Sequence, residues 1–252
     1  MTPRLLEVGG VTKQFGGLHV LRGVNLSIGA GELRCIIGPN GCGKTTLFNI
    51  ITGTFPPTSG TVRFRGADIT GRPPHAISRL GIARKFQVPG IYPSLAVAEN
   101  VEIPLLSRDG MAGPWSMLRA DARAAARLDG LLTRFRLRPQ AVRAAGGLPH
   151  GQKQWLEIAM LIGSDAQLLL LDEPTAGMSA SEASATVELV RQLQQEHGIA
   201  ALVIEHDMNF VRRLACPVVV MLRGAVLFEG GYAEVQAHPE VREAYLGHAV
   251  AG

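Results

Sequence analysis

Cysteine and lysine are both scarce in this chain, and long apolar runs are missing altogether. The three cysteines, Cys35, Cys42 and Cys216, make neither a paired framework nor a metal-ligand spacing, which excludes a disulfide-stapled scaffold and points to a reducing compartment. No stretch approaches the roughly 18 apolar residues that a spanning helix needs. The longest candidates, Leu168 to Leu171 and Val218 to Leu222, have strand length. The opening MTPRLLEVGGVTKQF shows no apolar targeting segment, so any membrane work is expected to need a second, spanning chain. Charge of one sign is also limited: 25 basic against 21 acidic residues leave +4, too even a balance to signal nucleic acid by itself.

What is present fits one compact domain. Hydrophobic residues make up 46% and charged residues 18% of 252, which rules out a disordered chain. A chain of this mass buries about 72% of its extended surface on folding, enough for one core and tight for two full domains. Only Lys13, Lys44, Lys85 and Lys153 are lysines, whereas seven arginines and two aspartates fall between Arg119 and Arg143. That Ala-rich stretch reads either as a solvated helix face or as one placed near acidic headgroups or an acidic partner.

Along the chain, the first thirty residues alternate as strands do, through Leu6, Val8, Val20, Val24, Leu26 and Ile28, with turns at Gly9-Gly10 and Gly16-Gly17. An antiparallel start is expected. Arg34 to Ile37 then reads as a strand, followed by a Gly-rich loop and a helix through Leu47, Ile50 and Ile51 that Gly53 ends. Thr61 to Phe64 and Ile82 to Phe86 read as strands, Val97 to Leu106, Arg119 to Phe135 and Gln152 to Ile162 as helices, with SRDGMAGPWS as a loop. Leu168 to Leu171 and Ala201 to Ile204 are solid apolar strands, and AEVQAHPEVREAYLG is a short helical tail with Pro239 in a first turn. Continuous apolar strands alternating with helices demand a parallel sheet covered on both faces, hence an α/β core. The segment from about Val88 to Gly163 reads as a helical subdomain inserted into it.

The sharpest motif is Gly38-Pro39-Asn40-Gly41-Cys42-Gly43-Lys44-Thr45, a complete G-x-x-x-x-G-K-[ST] between a strand and a helix. Its glycines let backbone N–H groups turn inward around phosphate oxygens, and the helix behind adds its positive end. Lys44 supplies a point charge to β- and γ-phosphates, and Thr45 offers a hydroxyl to Mg²⁺. Asp172 and Glu173 follow four leucines at the end of a buried strand, where open α/β sheets bind ligands. Asp172 fits a metal-side role through a Mg²⁺ water, and Glu173 fits a general base that polarises the attacking water. His206 ends the strand ALVIE and can reach a γ-phosphate and that water. Gln87 ends IARKF and can sense Mg²⁺ or the water.

Together these residues resemble the nucleotide-binding subunit of an ABC transporter. GPNGCGKTT, through Thr46, matches that family's Walker A, LLLLDEP its Walker B, Gln87 its Q-loop and His206 its H-loop. Phe15 in TKQFGG matches the aromatic that stacks on adenine, with Val20 beside the base. The resemblance implies a RecA-like P-loop core with an antiparallel β region and an inserted helical subdomain, all within one nucleotide-binding domain. Residues 1–87 and 164–252 would be the core and antiparallel region, and 88–163 the helical subdomain with the signature motif. It implies ATP and Mg²⁺, and head-to-tail dimers that hold each ATP between one chain's Walker A and the other's signature. It further implies two transmembrane permease subunits, a second ATP-binding subunit, a periplasmic solute-binding protein acting indirectly, no nucleic acid, and a peripheral place on the cytoplasmic face of the inner membrane.

Within the family the chain is most similar to the ATPases of importers for branched-chain amino acids, urea and short amides, through GRPPHAISRLGIARKFQ, the early AEN helix and HPEVREAYLG. LPHGQKQWLEIAM and DEPTAGMS look closest to the urea-importer subset, which typically carries a serine in place of Pro149. The signature L-S-G-G-Q reads here Leu148-Pro149-His150-Gly151-Gln152, so the hydroxyl aimed at the partner's γ-phosphate is gone; Gly151 keeps its amide, and His150 is a candidate substitute donor. Ser179 stands where many members carry the D-loop aspartate, and it is expected to cap a helix from about Ala180. The uneven signature favours a heterodimer. The rival readings are a soluble ABC ATPase and a nucleotide-gated scaffold with low turnover. Apolar residues after Gln87, namely Val88, Ile91 and Tyr92, are expected to line a groove for a permease helix.

Overall fold

A computed structural model of the chain describes residues 4–85, 90–106 and 114–246, in backbone alone at 114–123, 197 and 244–246. The alternating N-terminal third forms an antiparallel sheet. Strands β1 (Arg4–Phe15), β2 (Leu18–Gly29), β4 (Ser59–Phe64) and β5 (Ala67–Asp68) lie in the order β2-β1-β4-β5. The second sheet takes β3 (Leu33–Ile37), β6 (Ile82–Lys85), β7 (Leu168–Asp172), β8 (Ala200–Ile204), β9 (Val218–Leu222) and β10 (Ala225–Gly230) in the order β10-β9-β3-β8-β7-β6. Its five strands from β9 to β6 run parallel, and β10 pairs antiparallel with β9.

The solid apolar strands are explained by two cores. Side chains alternate across a strand, and in β7 Leu169 and Leu171 enter one core while Leu168 and Leu170 enter the other. The same split separates Val218 and Val220 from Val219 and Met221 in β9. One core lies under the antiparallel sheet and α1 (Lys44–Ile51), whose Leu47, Phe48, Ile50 and Ile51 face it. The other lies under α3 (Val97–Leu106), α5 (His150–Gly163), α6 (Ala180–His197) and α7 (Met208–Leu214).

The remaining helices are α2 (Pro74–Arg79), α4 (Pro114–Arg134), α8 (Tyr232–Ala237) and α9 (Pro239–Leu246). The elements described between β6 and β7 are helical: α3, α4, two short 3₁₀ turns and α5, with α3 packed on both α4 and α5. Pro114 to Ser116, expected in a loop, belong to α4, where proline's fixed φ suits a first turn. Helix α9 opens on Pro239 for the same reason. Strand β10 was not foreseen, although Arg223 and Gly224, both at positive φ between Leu222 and Ala225, form the two-residue turn of a twisted hairpin.

Ser179 caps α6 as expected. Its hydroxyl oxygen accepts from the Glu182 N–H, and the Glu182 carboxylate accepts from the Ser179 N–H at 2.9 Å and its hydroxyl at 2.7 Å. Those two bonds hold the Glu182 carboxyl below its ordinary pKa. Ser179→Ala should therefore lower unfolding free energy by about 1 kcal/mol near neutral pH. A carboxyl held low in the fold contributes above its unfolded value of about 4.3, and that contribution fades as pH falls through the folded value. Urea titrations of both proteins at pH 7 and pH 3 should show the gap narrowing at the lower pH; an equal gap at both would assign the loss to something other than the Glu182 bonds.

Candidate functional site

The parallel sheet brings the motifs to one edge. In its register Ile36 lies beside Ile204 and Ile204 beside Asp172, while Lys85 lies beside Leu171. The phosphate loop after β3, His206 after β8 and Glu173 after β7 thus leave neighbouring strands at one height. Gln87, two residues past β6, lies outside the described residues.

The loop from Gly38 to Gly43 is wedged between neighbours. A Cβ on Gly38 would stand 2.3 Å from the Met221 carbonyl oxygen of β9. Gly43 has φ of 105°, and a Cβ there would stand 2.6 Å from Leu21 and 3.0 Å from the Val20 carbonyl oxygen, so β2 packs directly on the loop. Lys44 is buried, with Nζ donating to the carbonyls of Gly38 at 2.7 Å and Pro39 at 3.1 Å and lying 3.9 Å from Cys42 Sγ. Asn40, Gly41 and Thr45 are exposed, Thr46 is half-buried, and Lys44 begins α1, whose N-terminus has no side-chain cap, the kind of helix end that suits an anion. Val20, half-buried, comes to the loop on β2. Phe15, 46% exposed at the end of the paired strand, meets Phe55 edge-on at 5.3 Å and has Lys13 Nζ 4.9 Å from its centroid. It offers an aromatic face to solvent.

Asp172 is buried and its two oxygens differ. Oδ2 accepts from Arg84 Nη2 at 2.9 Å, whereas Oδ1 is buried with no hydrogen-bond partner. Arg84 also donates to Asn49 of α1 and lies 5.6 Å from the Phe48 ring centroid. The open oxygen and the exposed Thr45 hydroxyl suit a hard cation that takes few protein ligands and completes its shell with water and phosphate. Among the described residues no cluster of three or more His, Cys, Asp or Glu could hold a metal ion by itself.

Glu173 sits at φ of 49°, a left-handed conformation that costs a non-glycine residue on the order of 1–3 kcal/mol and gathers at functional sites. Its N–H donates to the Ile204 carbonyl at 2.9 Å, and its Oε1 stands 3.2 Å from His206 Nε2. Glu205, absent from the sequence reading, ties the two loops. Buried, it accepts from the Thr175 N–H at 3.1 Å and hydroxyl, and from the His206 N–H at 3.2 Å. Arg84 was missed too. Its signal was a charge inside a short strand, which reads as solvated until the sheet buries it.

The signature turn differs from expectation. Pro149 precedes the first helical residue of α5 and makes no side-chain cap. His150 Nε2 lies 3.0 Å from the Ala176 carbonyl of the same chain, which a ring N–H there satisfies, and 3.2 Å from Gln154 Nε2. That nitrogen is therefore engaged within the chain and is not the free substitute donor the sequence suggested. Gly151 is buried against α6, since a Cβ would meet Glu182 Oε1 at 2.3 Å, and Gln152 is half-buried beside it. Ile91 packs on the core, Tyr92 is 49% exposed, and Val88 lies outside the described residues. In the arginine-rich stretch Arg127, Arg134 and Arg138 pair with Asp165, Glu196 and Asp129, as a solvated helix face would. No helix of the described residues is long and apolar enough to cross a membrane.

Comparison with known proteins agrees with this architecture. Residues 21–176 match the family described as ABC transporter, and 225–251 that described as branched-chain amino acid ATP-binding cassette transporter. The chain is 37% identical, over 99% of its length and all of the other's, to the high-affinity branched-chain amino acid transport ATP-binding protein BraF of Pseudomonas aeruginosa. It is 35% identical, with the same coverage, to LivG of Escherichia coli, which has the same description. Among solved structures, a nucleotide-free ATP-binding cassette from an ABC transporter superposes with a TM-score of 0.81 at 30% identity, covering 96% of this chain and 98% of that one. The ADP conformation of MJ1267, an ATP-binding cassette of an ABC transporter, gives 0.82 at 29%, covering 98% and 100%.

Burial governs the cysteines, Cys42 of the loop included. It pushes the Cys35 thiol well above its ordinary value and Cys216 up to about 12, and at Cys42 it outweighs the lowering influence of Lys44. At pH 8 Cys216 then holds roughly a thousandfold less thiolate than an ordinary cysteine. Iodoacetamide should modify all three at least about 100-fold more slowly in the native protein than after denaturation, as followed by mass spectrometry. Prompt native labelling of Cys35 or Cys216 would contradict their burial.

Proposed function

The chain belongs to the ABC transporter family of ATP-binding, ATP-hydrolysing subunits, and on that footing we propose that it energises an importer of branched-chain amino acids. Near-complete coverage of relatives named for that transport supports the solute, as does the match of 225–251. The narrower likeness to the urea-importer subset rests on the fragments around Leu148 and Asp172. The observation that carries the chemistry is the Glu173–His206 contact at 3.2 Å beside the phosphate loop.

In this reading 88–163 is the helical subdomain, and 1–87 with 164–252 the core. Phe15 stacks on the adenine and Val20 flanks it. Backbone N–H groups from Gly38 to Gly43 and of the first turn, with Thr46, hold the phosphates, while Lys44 exchanges its loop carbonyls for β- and γ-phosphate oxygens. The Asp172 carboxylate and the Thr45 hydroxyl would hold Mg²⁺, with Gln87 as a third group, and the bound ion supplies charge neutralisation at those oxygens. Glu173 polarises the attacking water, and His206 holds that carboxylate in place.

Permease subunits are the membrane partners, with the cassette peripheral on the cytoplasmic face and a periplasmic binding protein acting indirectly. A signature of Pro149, His150, Gly151 and Gln152 gives the partner's ATP no serine hydroxyl, a loss of about 1.5–3 kcal/mol for a bond to a charged phosphate. We therefore read the working dimer as mixed, with the competent site on this chain's phosphate loop and the partner's signature.

Glu173→Gln should leave nucleotide affinity intact and slow hydrolysis by roughly 10² to 10⁴, more than the same change in the partner subunit. A variant complex turning over at the parental rate would remove Glu173 from its role, and equal effects in both subunits would remove the asymmetry. Lys44→Ala should weaken ATP binding itself, as read by equilibrium titration with a fluorescent ATP analogue; undiminished affinity would contradict the phosphate-contact assignment.

A further inference from the structure

A buried carboxylate outside the catalytic edge ties the signature helix to both flanks of Gln87. Glu157 lies two helical turns into α5, buried, on the helix that opens with His150. Its Oε1 accepts from the Gly90 N–H at 3.0 Å, and its Oε2 stands 3.9 Å from Nζ of Lys85, a fully buried lysine that ends β6. Residues 85 and 90 bracket Gln87 by two and three positions. One side chain thus joins Lys85 and Gly90 to the helix whose first turn packs on α6 at Glu182.

The energetics fit a geometric role better than a stabilising one. Burial pushes the Lys85 pKa down, and Glu157 leads the carboxylates that oppose it, with Asp172, Glu205 and Glu173 acting in the same sense. An ion pair taken out of water returns little net stability, and apolar pairs of similar volume often replace such pairs without loss. What an apolar pair does not replace is the acceptor for the Gly90 N–H.

We propose that Glu157 is a positioning residue, fixing Lys85 and Gly90, the described residues that flank Gln87 in the sequence, against the signature helix. The inference rests on the reading of Gln87 as the sensor of the metal or the attacking water.

Three variants test it in the assembled transporter. Lys85→Met with Glu157→Leu removes both charges and the acceptor. Lys85→Met with Glu157→Gln removes the charges and keeps an acceptor oxygen. Glu157→Gln alone changes the volume least. The Met/Leu pair should bind a fluorescent ATP analogue within about twofold of the parent, lose about tenfold in kcat, and expose the Gly90 amide to hydrogen exchange. The Met/Gln pair should restore Gly90 protection and bring kcat within about threefold of the parent. Parental kcat in the Met/Leu pair, or no recovery in the Met/Gln pair, overturns the assignment. If the Met/Leu pair does not fold, the single Glu157→Gln decides: its Gly90 amide should stay protected, and rapid exchange there overturns the proposal. Gln87→Ala in the parent separates the two layers. Parental turnover in that variant refutes the sensor reading itself, whereas slow turnover there beside a fast Met/Leu pair refutes only the role of Glu157.

Discussion

Parallel pairing of β3, β8, β7 and β6 is the constraint on which the site depends. Because Ile36, Ile204 and Asp172 share one row, three loops from distant parts of the chain begin at the same height on the same edge. A slip of one residue in a parallel strand would turn its side chains to the opposite face, moving Leu169 and Leu171 out of the core they share with α5 and α6. The two hydrophobic cores therefore lock the register, and the register places Glu173 within reach of His206.

Beneath that edge lies a layer of buried charge. Arg84 takes one oxygen of Asp172 and reaches Asn49 of α1, so the helix behind the phosphate loop and the acidic strand end are joined. Glu205 joins the loop after β7 to the one after β8 through Thr175 and His206. Buried polar contacts of this kind are costly to break and favour one arrangement, although the second Asp172 oxygen keeps no hydrogen-bond partner. Here they surround groups that must keep a fixed geometry, including Glu173 in its left-handed conformation.

The turn from Leu148 to Gln152 is likewise tied inward. His150 rests on the Ala176 carbonyl, and Gly151 is closed against Glu182, whose carboxylate is itself held by Ser179. These contacts join α5 to the segment that leads into α6.

The sequence by itself determined what local chemistry controls. The phosphate loop was legible because closely spaced glycines before a helix have one economical use, and the apolar strands because both sheet faces are covered. The Ser179 cap was legible because a serine directly before a helical stretch is a favoured N-cap, and the α/β architecture because strands and helices alternate. Only the tertiary structure decided the long-range partners. Arg84 and Glu205 gained their partners only when sheet pairing buried them, Glu157 only when α5 packed on β6, and His150 read as a free donor until α5 was set against the segment holding Ala176. The physical reason is common to all of them. A side chain's protonation, partners and reach depend on what the fold packs around it, and residues some 30 to 90 positions apart leave no periodic or spaced signal of their meeting.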